Sequence, residues 1–435
     1  MTSEERHEAR YQRRKAKREA RILARSKELG DFDEVFSFRH LYLSGKKCCK
    51  NVMWKNSTQR FMGTLLLEVS EIRKQLMNET FTGKGFIHFV IMERGKLRHI
   101  RSVHITERMV QKCLCDYYLV PLYAPSFVYD NGASLKGKGM DFSLQRMVDQ
   151  LRHHYRKYGR TGGMLFFDFS QYFDSAPHEP LFREAERRMH DPRTQRLSNN
   201  FIRAFGPIGL GLGSQVSQTN ALMLPNSLDH AIQEKMGVRA YGRYMDDGHL
   251  LHEDLKHLDD CRDDIAEVCG KIGLTLSQKK TRTVPLTNSF TYLKTRFILT
   301  ETGKVILKMN KRSTKSVRRK MRYFVGWLED PRKNFTMEDV RSCYESYHGQ
   351  MKRGNSFKIV QKTDHYFKEL FGFYPNEKGW KQYAQNHQER RDPGNGQCSH
   401  LGETPGERLL RYLRPCTIRS PKKKIPPGAS SLKLL

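Results

Sequence analysis

Three carboxylates stand where packing alone would not put them. Asp246 and Asp247 are adjacent within Tyr241-Gly-Arg-Tyr-Met-Asp-Asp-Gly-His-Leu250. Arg239-Ala240-Tyr241 before them and His249-Leu250-Leu251 after them read as two short strands, so the acidic pair falls at or near a hairpin turn. Two like charges side by side repel unless a cation neutralises them, and the pair therefore calls for a metal. The plain alternative is an ordinary acidic turn. Asp168 sits inside Gly162-Gly-Met-Leu-Phe-Phe-Asp-Phe-Ser170, a nearly continuous apolar strand. A charge buried there without a partner is costly or shifts its pKa. Its plain alternative is a strand-end Asp that caps the next turn.

The surrounding chain has 435 residues, enough for two to three domains and a substantial core. Its net charge is +31, from 78 Lys+Arg against 47 Asp+Glu. A positive field of that size is the footprint of a polyanion binder. No apolar run approaches the roughly 18 residues of a membrane span, and the N-terminus lacks the apolar core of a signal peptide. Nucleic acid is thus the expected partner, with no membrane partner, and the cytoplasm the expected location. The nine cysteines form no Cys-x-x-Cys, which points to reduced thiols and no zinc site.

Residues 1–31 read as a basic helical arm, either solvated or ordered by phosphate contact. Alternation over Gly85–Met92 and Arg98–Ile105, with Glu93-Arg94-Gly95-Lys96 between, predicts a basic β-hairpin. A helix capped by Thr106 follows, then a glycine and lysine loop (Tyr129–Gly139) and an amphipathic helix from about Asp141 to Tyr158. Beyond the strand of Asp168, helices are expected over Pro180–Met189 and Leu197–Phe205. Gly206-Pro-Ile-Gly-Leu-Gly-Leu-Gly213 invites a phosphate-loop reading, but no Lys-Ser/Thr follows it. The even spacing of Gly209, Gly211 and Gly213 also breaks the dinucleotide fingerprint. A helix from Thr219, interrupted near Pro225, leads to the central hairpin. Another over Leu255–Ile272 leads to β-like sequence at 281–299. The order β-α-β-β-α-β is the ferredoxin-like pattern that sets the strand of Asp168 beside the hairpin of Asp246 and Asp247. Helices follow the basic run Lys308–Lys320, and from Gly372 the chain turns polar, with scattered prolines and Lys422-Lys-Lys424.

Together these segments resemble a reverse transcriptase of the prokaryotic diversity-generating-retroelement or defence-associated kind. Phe167-Asp168-Phe-Ser-Gln-Tyr-Phe173-Asp174 is similar to that family's first catalytic motif and Tyr244-Met-Asp-Asp247 to its third. Leu212-Gly213-Ser-Gln-Val-Ser217-Gln218, followed by Leu228-Asp229-His230, resembles the second in the form typical of diversity-generating enzymes. Lys96-Leu-Arg98-His-Ile100 with Glu107–Gln111, and Asn131–Ser134 with Gly137–Gly139, resemble fingers motifs. Leu274-Thr-Leu-Ser-Gln-Lys-Lys280-Thr281 resembles the fourth palm motif, and Tyr292-Leu293-Lys294 the primer grip. The resemblance covers about residues 85 to 300. Leu212, Gly248-His249 and Lys294 depart from the family's pattern, at positions that bear on fidelity and primer placement.

The resemblance implies an α+β right-hand polymerase: arm 1–31, fingers 32–160, ferredoxin-like palm 161–300, helical thumb 301–375 and a basic Pro-containing tail 376–435. It implies RNA-directed DNA polymerisation with two Mg²⁺ (Mn²⁺ as a substitute), about 3.5–4 Å apart. Asp168, Asp246 and Asp247 would hold the ions, with the Phe169 carbonyl completing a shell. Lys96, Arg98 and Arg108 would meet the triphosphate of a dNTP, or else the template. Phe173 would exclude a ribose 2′-hydroxyl, and Met245 would lie against the primer terminus. Lys280, or Lys279, would protonate pyrophosphate. Gly213, Ser217 and Gln218 would pass close to the template base and nucleotide. Expected partners are a non-coding RNA template, the cDNA product and its RNA–DNA duplex, dNTPs and a possible second copy of the chain. Two biological roles stay open, phage defence and retroelement diversification. An RNA-dependent RNA polymerase and a non-catalytic polymerase relic are the other readings.

Overall fold

The alternating segments fold as a hairpin in the computed structural model, which describes residues 2–93, 96–330 and 332–388, with only the main chain at Met92, Glu93, Lys96, Lys311 and 385–388. Strands β1 (Phe86–Glu93) and β2 (Lys96–Val103) pair antiparallel, Phe86 opposite Val103 and Glu93 opposite Lys96. The expected turn residues Arg94 and Gly95 lie outside the described residues. The helix after β2 starts at Ile105, and the extended His104 occupies its N-cap. Thr106 is therefore not the cap but lies within the first turn, buried. Chain direction decides this: His104 is where extended backbone turns into helix.

β3 (Gly163–Asp168), β4 (Tyr241–Tyr244), β5 (Asp247–His252) and β6 (Arg282–Pro285) form a four-stranded antiparallel sheet in the order β4-β5-β3-β6. With helices between β3 and β4 and the helix Leu255–Lys271 between β5 and β6, this is the anticipated β-α-β-β-α-β arrangement. Every residue of β3 is buried. Leu165 and Phe167 enter the large core that runs through the N-terminal helices, whereas Met164 and Phe166 enter a second core under the helix Met140–Tyr158. The period of two along a strand divides the run between two cores, which explains its continuous apolarity. Each fully buried Leu or Phe contributes about 1.5–3 kcal/mol.

The second core also receives β7 (Phe290–Tyr292), β8 (Thr295–Leu299) and β9 (Val305–Met309), a separate three-stranded sheet. Leu293 and Lys294, the two residues between β7 and β8, both have positive φ (43° and 68°). Two-residue hairpin loops ask for that geometry and usually recruit Asn or Gly to adopt it.

A third core lies within the helices Lys311–Glu329, Met337–Lys352, Phe357–Phe371 and Glu377–Gln388, built on Val317, Met321, Phe324, Tyr344, Phe367 and Trp380. This corrects one boundary. The tail was expected from 376, but Trp380 is 7% exposed and stacks edge-on against Phe367 and Phe373, so the helical unit extends past 376. The remainder of that tail, 389–435, lies outside the described residues.

Two other helices differ from expectation. Asp191 accepts a hydrogen bond from the Thr194 amide and Pro192 occupies the first turn, so the helix expected from Leu197 begins at Pro192. Ser214 likewise caps a helix over Gln215–Met223, which places Ser217 and Gln218 on that helix rather than in a glycine-rich loop.

Candidate active site

Strand register assembles the carboxylates. Asp168, the last residue of β3, stands opposite Asp247, the first of β5. Asp246 occupies the two-residue turn between β4 and β5 with Met245, whose φ of 57° is a conformation that non-glycine residues rarely adopt. The Phe169 amide donates to the Asp246 carbonyl (3.4 Å), and the Ser277 amide donates to the Asp168 carbonyl (2.7 Å). The three sequence-separated segments are thereby tied together at the backbone. Lys280 completes the group: its Nζ lies 2.5 Å from Asp168 Oδ2, while Lys279 has no such contact among the hydrogen bonds of the described residues.

The electrostatics follow from that crowding. Burial pushes the Asp246 carboxyl above its ordinary range and the charge of Asp168 adds to the shift. Burial also raises Asp247, to about 7, reinforced by Asp246 and by its hydrogen bond to Asp168. Burial pulls Lys280 down, but its bond to Asp168 and the charges of all three carboxylates outweigh that and raise it. Arg98 acts on Asp246 in the opposite sense to Asp168, so the basic hairpin reaches the acidic turn electrostatically.

These residues fit divalent metal ions. Among the described residues no three His, Cys, Asp or Glu side chains form a ready-made cage. Mg²⁺ does not need one, because it is ordinarily held by one or two carboxylates together with substrate phosphates and water. Asp246 and Asp247, driven toward protonation by burial and then by neighbouring carboxylates, are groups that a cation would restore to the charged state.

The turn rests on a buried ion pair. Arg243 and Asp229 both have fully buried side chains, with Nη2–Oδ2 at 2.6 Å and Nε–Oδ1 at 2.7 Å. Arg243 Nη1 donates to the Met245 carbonyl (2.9 Å), Nη2 donates to the Leu222 carbonyl (3.0 Å), and the Tyr241 hydroxyl donates to Asp229 (2.7 Å). The strained residue of the acidic turn is thus held by a guanidinium whose own position is fixed bidentately. Sequence reasoning missed both roles. The signal was present: Arg243 is a charge within an apolar strand, the same anomaly that singled out Asp168.

The unusual Gly248-His249 is explained by its neighbours. A Cβ at Gly248 would lie 2.1 Å from the Phe167 ring, which covers that position from the paired strand. His249 is buried and its ring nitrogen Nε2 meets Gln150 Oε1 at 2.9 Å. Burial lowers its pKa to about 3, so it is a neutral packing residue.

The glycine stretch joins the hairpin to Phe173. Arg101 Nη1 donates to the Phe205 carbonyl (2.7 Å), and Phe86 packs on the Phe205 ring at 4.6 Å. A Cβ at Gly213 would come within 3.1 Å of the Arg101 carbonyl. On the other side the Leu210 amide donates to the Phe173 carbonyl (2.6 Å) and the Gly209 amide to the Ala176 carbonyl (2.9 Å). Gly209 has φ +92°, and a Cβ there would lie 2.8 Å from the Asp174 carbonyl and 3.1 Å from that of Phe173. Of the other candidates, Arg98 and Gln218 are exposed. Arg108 is exposed too, but Nη2 is tied to Ser102 Oγ (2.9 Å) at the base of the hairpin. Ser217 is fully buried and offers no surface to a nucleotide or template, a correction to its expected role. The Lys96 side chain lies outside the described residues.

Residues 88–297 match the family described as reverse transcriptase (RNA-dependent DNA polymerase). The chain carries a reverse transcriptase domain. Such a domain is that of an RNA-directed DNA polymerase, a nucleotidyltransferase, and the family works with divalent metal ions. The matched reverse transcriptase segment runs from β1 into β8 and contains Asp168, Asp246, Asp247 and Lys280. Solved structures that match include the telomerase of Candida albicans in complex with a TWJ fragment of telomeric RNA, at 12% identity and a TM-score of 0.42. The similarity covers 71% of this chain and 58% of the telomerase chain. No curated protein matches the sequence.

Proposed function

We propose that this protein copies a dedicated non-coding RNA into cDNA by two-metal nucleotidyl transfer. The observation that carries the reading is the convergence of Asp168, Asp246 and Asp247 at one end of the β3–β5 pair, with Lys280 on Asp168. Two Mg²⁺ held by these carboxylates, with the Phe169 carbonyl, would supply Lewis-acid neutralisation of charge at the transferring phosphorus. The chain's own groups do the rest. Arg98, with Lys96 and Arg108, would orient the triphosphate, since the hairpin already bears electrostatically on Asp246. Lys280, kept protonated by its carboxylate neighbours, would give its proton to the departing pyrophosphate. Phe173 would close the sugar site to a 2′-hydroxyl, which disfavours the RNA-polymerase reading. Residues 32–160, 161–300 and the helices from 301 would act as fingers, palm and thumb.

For the biological role we favour antiviral defence. The long polar stretch from 389 to 435 and the basic arm exceed what a compact diversity-generating enzyme needs. The Leu212-Gly213…Ser217-Gln218 motif with Leu228-Asp229-His230 supports the retroelement alternative. The test is primer extension on an RNA template with dNTPs and Mg²⁺, wild type against Asp246→Asn, followed by sequencing of co-purifying RNA and cDNA. Extension by the wild type alone supports the activity. Equal extension by both proteins, or none by either, refutes it. Co-purifying cDNA that maps to a variable gene repeat decides for diversification; cDNA of a fixed non-coding RNA decides for the favoured role.

A further inference from the structure

The first long helix, Ser3–Glu28, is attached to the molecule at one end. Its last turns are seated by Ser26, fully buried, whose Oγ lies 2.7 Å from the Tyr118 hydroxyl and 2.7 Å from His190 Nδ1. His190 Nε2 in turn lies 2.7 Å from Asp31. Ile22 and Leu29 pack beside this seat on the large core. Asp31, His190 and Ser26 have the order of a hydrolytic triad, but a serine sealed from solvent has no path to a substrate, so the cluster is an anchor. From Ser3 to Arg21 every residue of the helix is exposed except Ala9 and Glu19, which are half-buried.

The charges on this arm are segregated. Arg6, Arg10, Arg13, Lys17 and Arg21, flanked by Arg14 and Arg18, fall within an arc of about 140° at 100° per residue. Glu4, Glu8 and Glu19 lie on the opposite side with a single cation, Lys15, together with the seated Ile22 and Ser26. The stripe therefore faces away from the anchor. It runs about 22 Å along the helix, with a cation every one turn or less. Like charges spaced i, i+4 weaken an isolated helix. A sequence that keeps them in line against that penalty has a use for the line.

We propose that this stripe binds the phosphate backbone of a double-helical segment of RNA. A straight, rigid row of guanidinium and ammonium groups matches a regular duplex backbone, which offers phosphates at fixed intervals. Single-strand binders add aromatic platforms on which bases stack, and the arc holds none; Tyr11 lies outside it. An anionic membrane would need an apolar face opposite the cations, and the opposite face carries the charged Glu4, Glu8, Lys15 and Glu19. Only the choice of RNA as the polyanion rests on the function proposed above. The arm, fixed at its C-terminal end to the helices beside the palm, would hold a structured part of the template while single-stranded template enters the site.

The test uses the full chain with Arg6, Arg10, Arg13, Lys17 and Arg21 changed together to Ala, which favours helix and so leaves folding intact. Binding is read by fluorescence anisotropy against an RNA hairpin with a 20-base-pair stem, an unstructured RNA of equal length, and phosphatidylserine vesicles. Circular dichroism confirms the retained helix, and extension of a short homopolymer primer–template reads basal activity. We expect hairpin affinity to fall roughly 30-fold or more, and the slope of log K against log salt to shrink by about 3.5–4.5, or 0.7–0.9 for each lost contact. Affinity for unstructured RNA should change less than threefold, and extension not at all. Unchanged hairpin binding, equal loss on both RNAs, or a loss confined to vesicles overturns the proposal. Because the hairpin assay needs no catalysis, an inactive Asp246→Asn protein that still binds the hairpin through the stripe would separate the two claims.

Discussion

Arg243 and Asp229 form a bidentate ion pair with no solvent exposure on either side chain, and the same guanidinium holds the Met245 carbonyl. The pair lies directly behind the acidic turn, and its energetics differ from those of a surface bridge. Removing one partner leaves a buried charge and costs about 3–5 kcal/mol, whereas replacing both with apolar residues of similar volume is often neutral. Asp229→Ala should therefore lower stability by about 3–5 kcal/mol in urea unfolding. Arg243→Met with Asp229→Leu should recover most of that loss. Primer extension by the double variant should stay at least tenfold down, because nothing then donates to Met245. Full activity in a stable double variant would show that the pair serves packing alone.

Gly209 should control sugar selection without touching the sugar. Its φ of +92° and the 2.8 Å approach to the Asp174 carbonyl leave no place for a methyl group. In Gly209→Ala the backbone of Phe173 must move, and strain of this kind costs about 1–3 kcal/mol. We expect the ratio of dNTP to NTP incorporation to fall at least fivefold, in the same direction as Phe173→Ala. Competition between dATP and ATP on one template measures it.

The raised carboxyls at the acidic turn predict an unusual pH response. For Asp246 and Asp247 the folded pKa lies above the unfolded one, so between the two values the folded state binds more protons. Their contribution to stability is present below about pH 4 and is lost as pH rises through the folded value, about 7 for Asp247. A divalent cation binds the charged forms and reverses this. The melting temperature should rise more on adding Mg²⁺ at pH 8 than at pH 5.5, and Asp247→Asn should flatten the difference. Equal shifts at both pH values would remove the carboxylates from the binding site.

The turn between β7 and β8 is improvable. Lys294 holds φ +68°, a left-handed conformation that costs an L-residue about 1–2 kcal/mol and glycine almost nothing. Lys294→Gly should gain about 1 kcal/mol in equilibrium unfolding, after allowance for the extra freedom of glycine in the unfolded chain.

Much of the site was legible because its chemistry contradicts its surroundings. Asp168 in an apolar strand and a doubled Asp in a hairpin are anomalies that periodicity exposes, and strand order then joins them. Capping explains the helix starts that were misplaced. Asp191 and Ser214 each satisfy a free amide earlier than the apolar pattern begins, so the pattern alone sets the start too late. Ser217 was misjudged for the same reason, since a helix that starts at Gln215 turns it inward. The extent of the last helical unit depended on Trp380, one ring in a polar stretch whose partners, Phe367 and Phe373, are visible only in three dimensions. Asp229 and Arg243 are 14 residues apart across a turn of chain, and no local spacing rule pairs them.

The Phe167 ring over Gly248 constrains how this site can change over generations. Any side chain at 248 would begin 2.1 Å from that ring, and the two residues face each other across paired strands. A larger residue beside the acidic pair is therefore accessible only after position 167 has become smaller, and a smaller 167 first opens a void in the core next to Asp168. Each single step is therefore expected to destabilise the fold, and only the two changes together restore the packing.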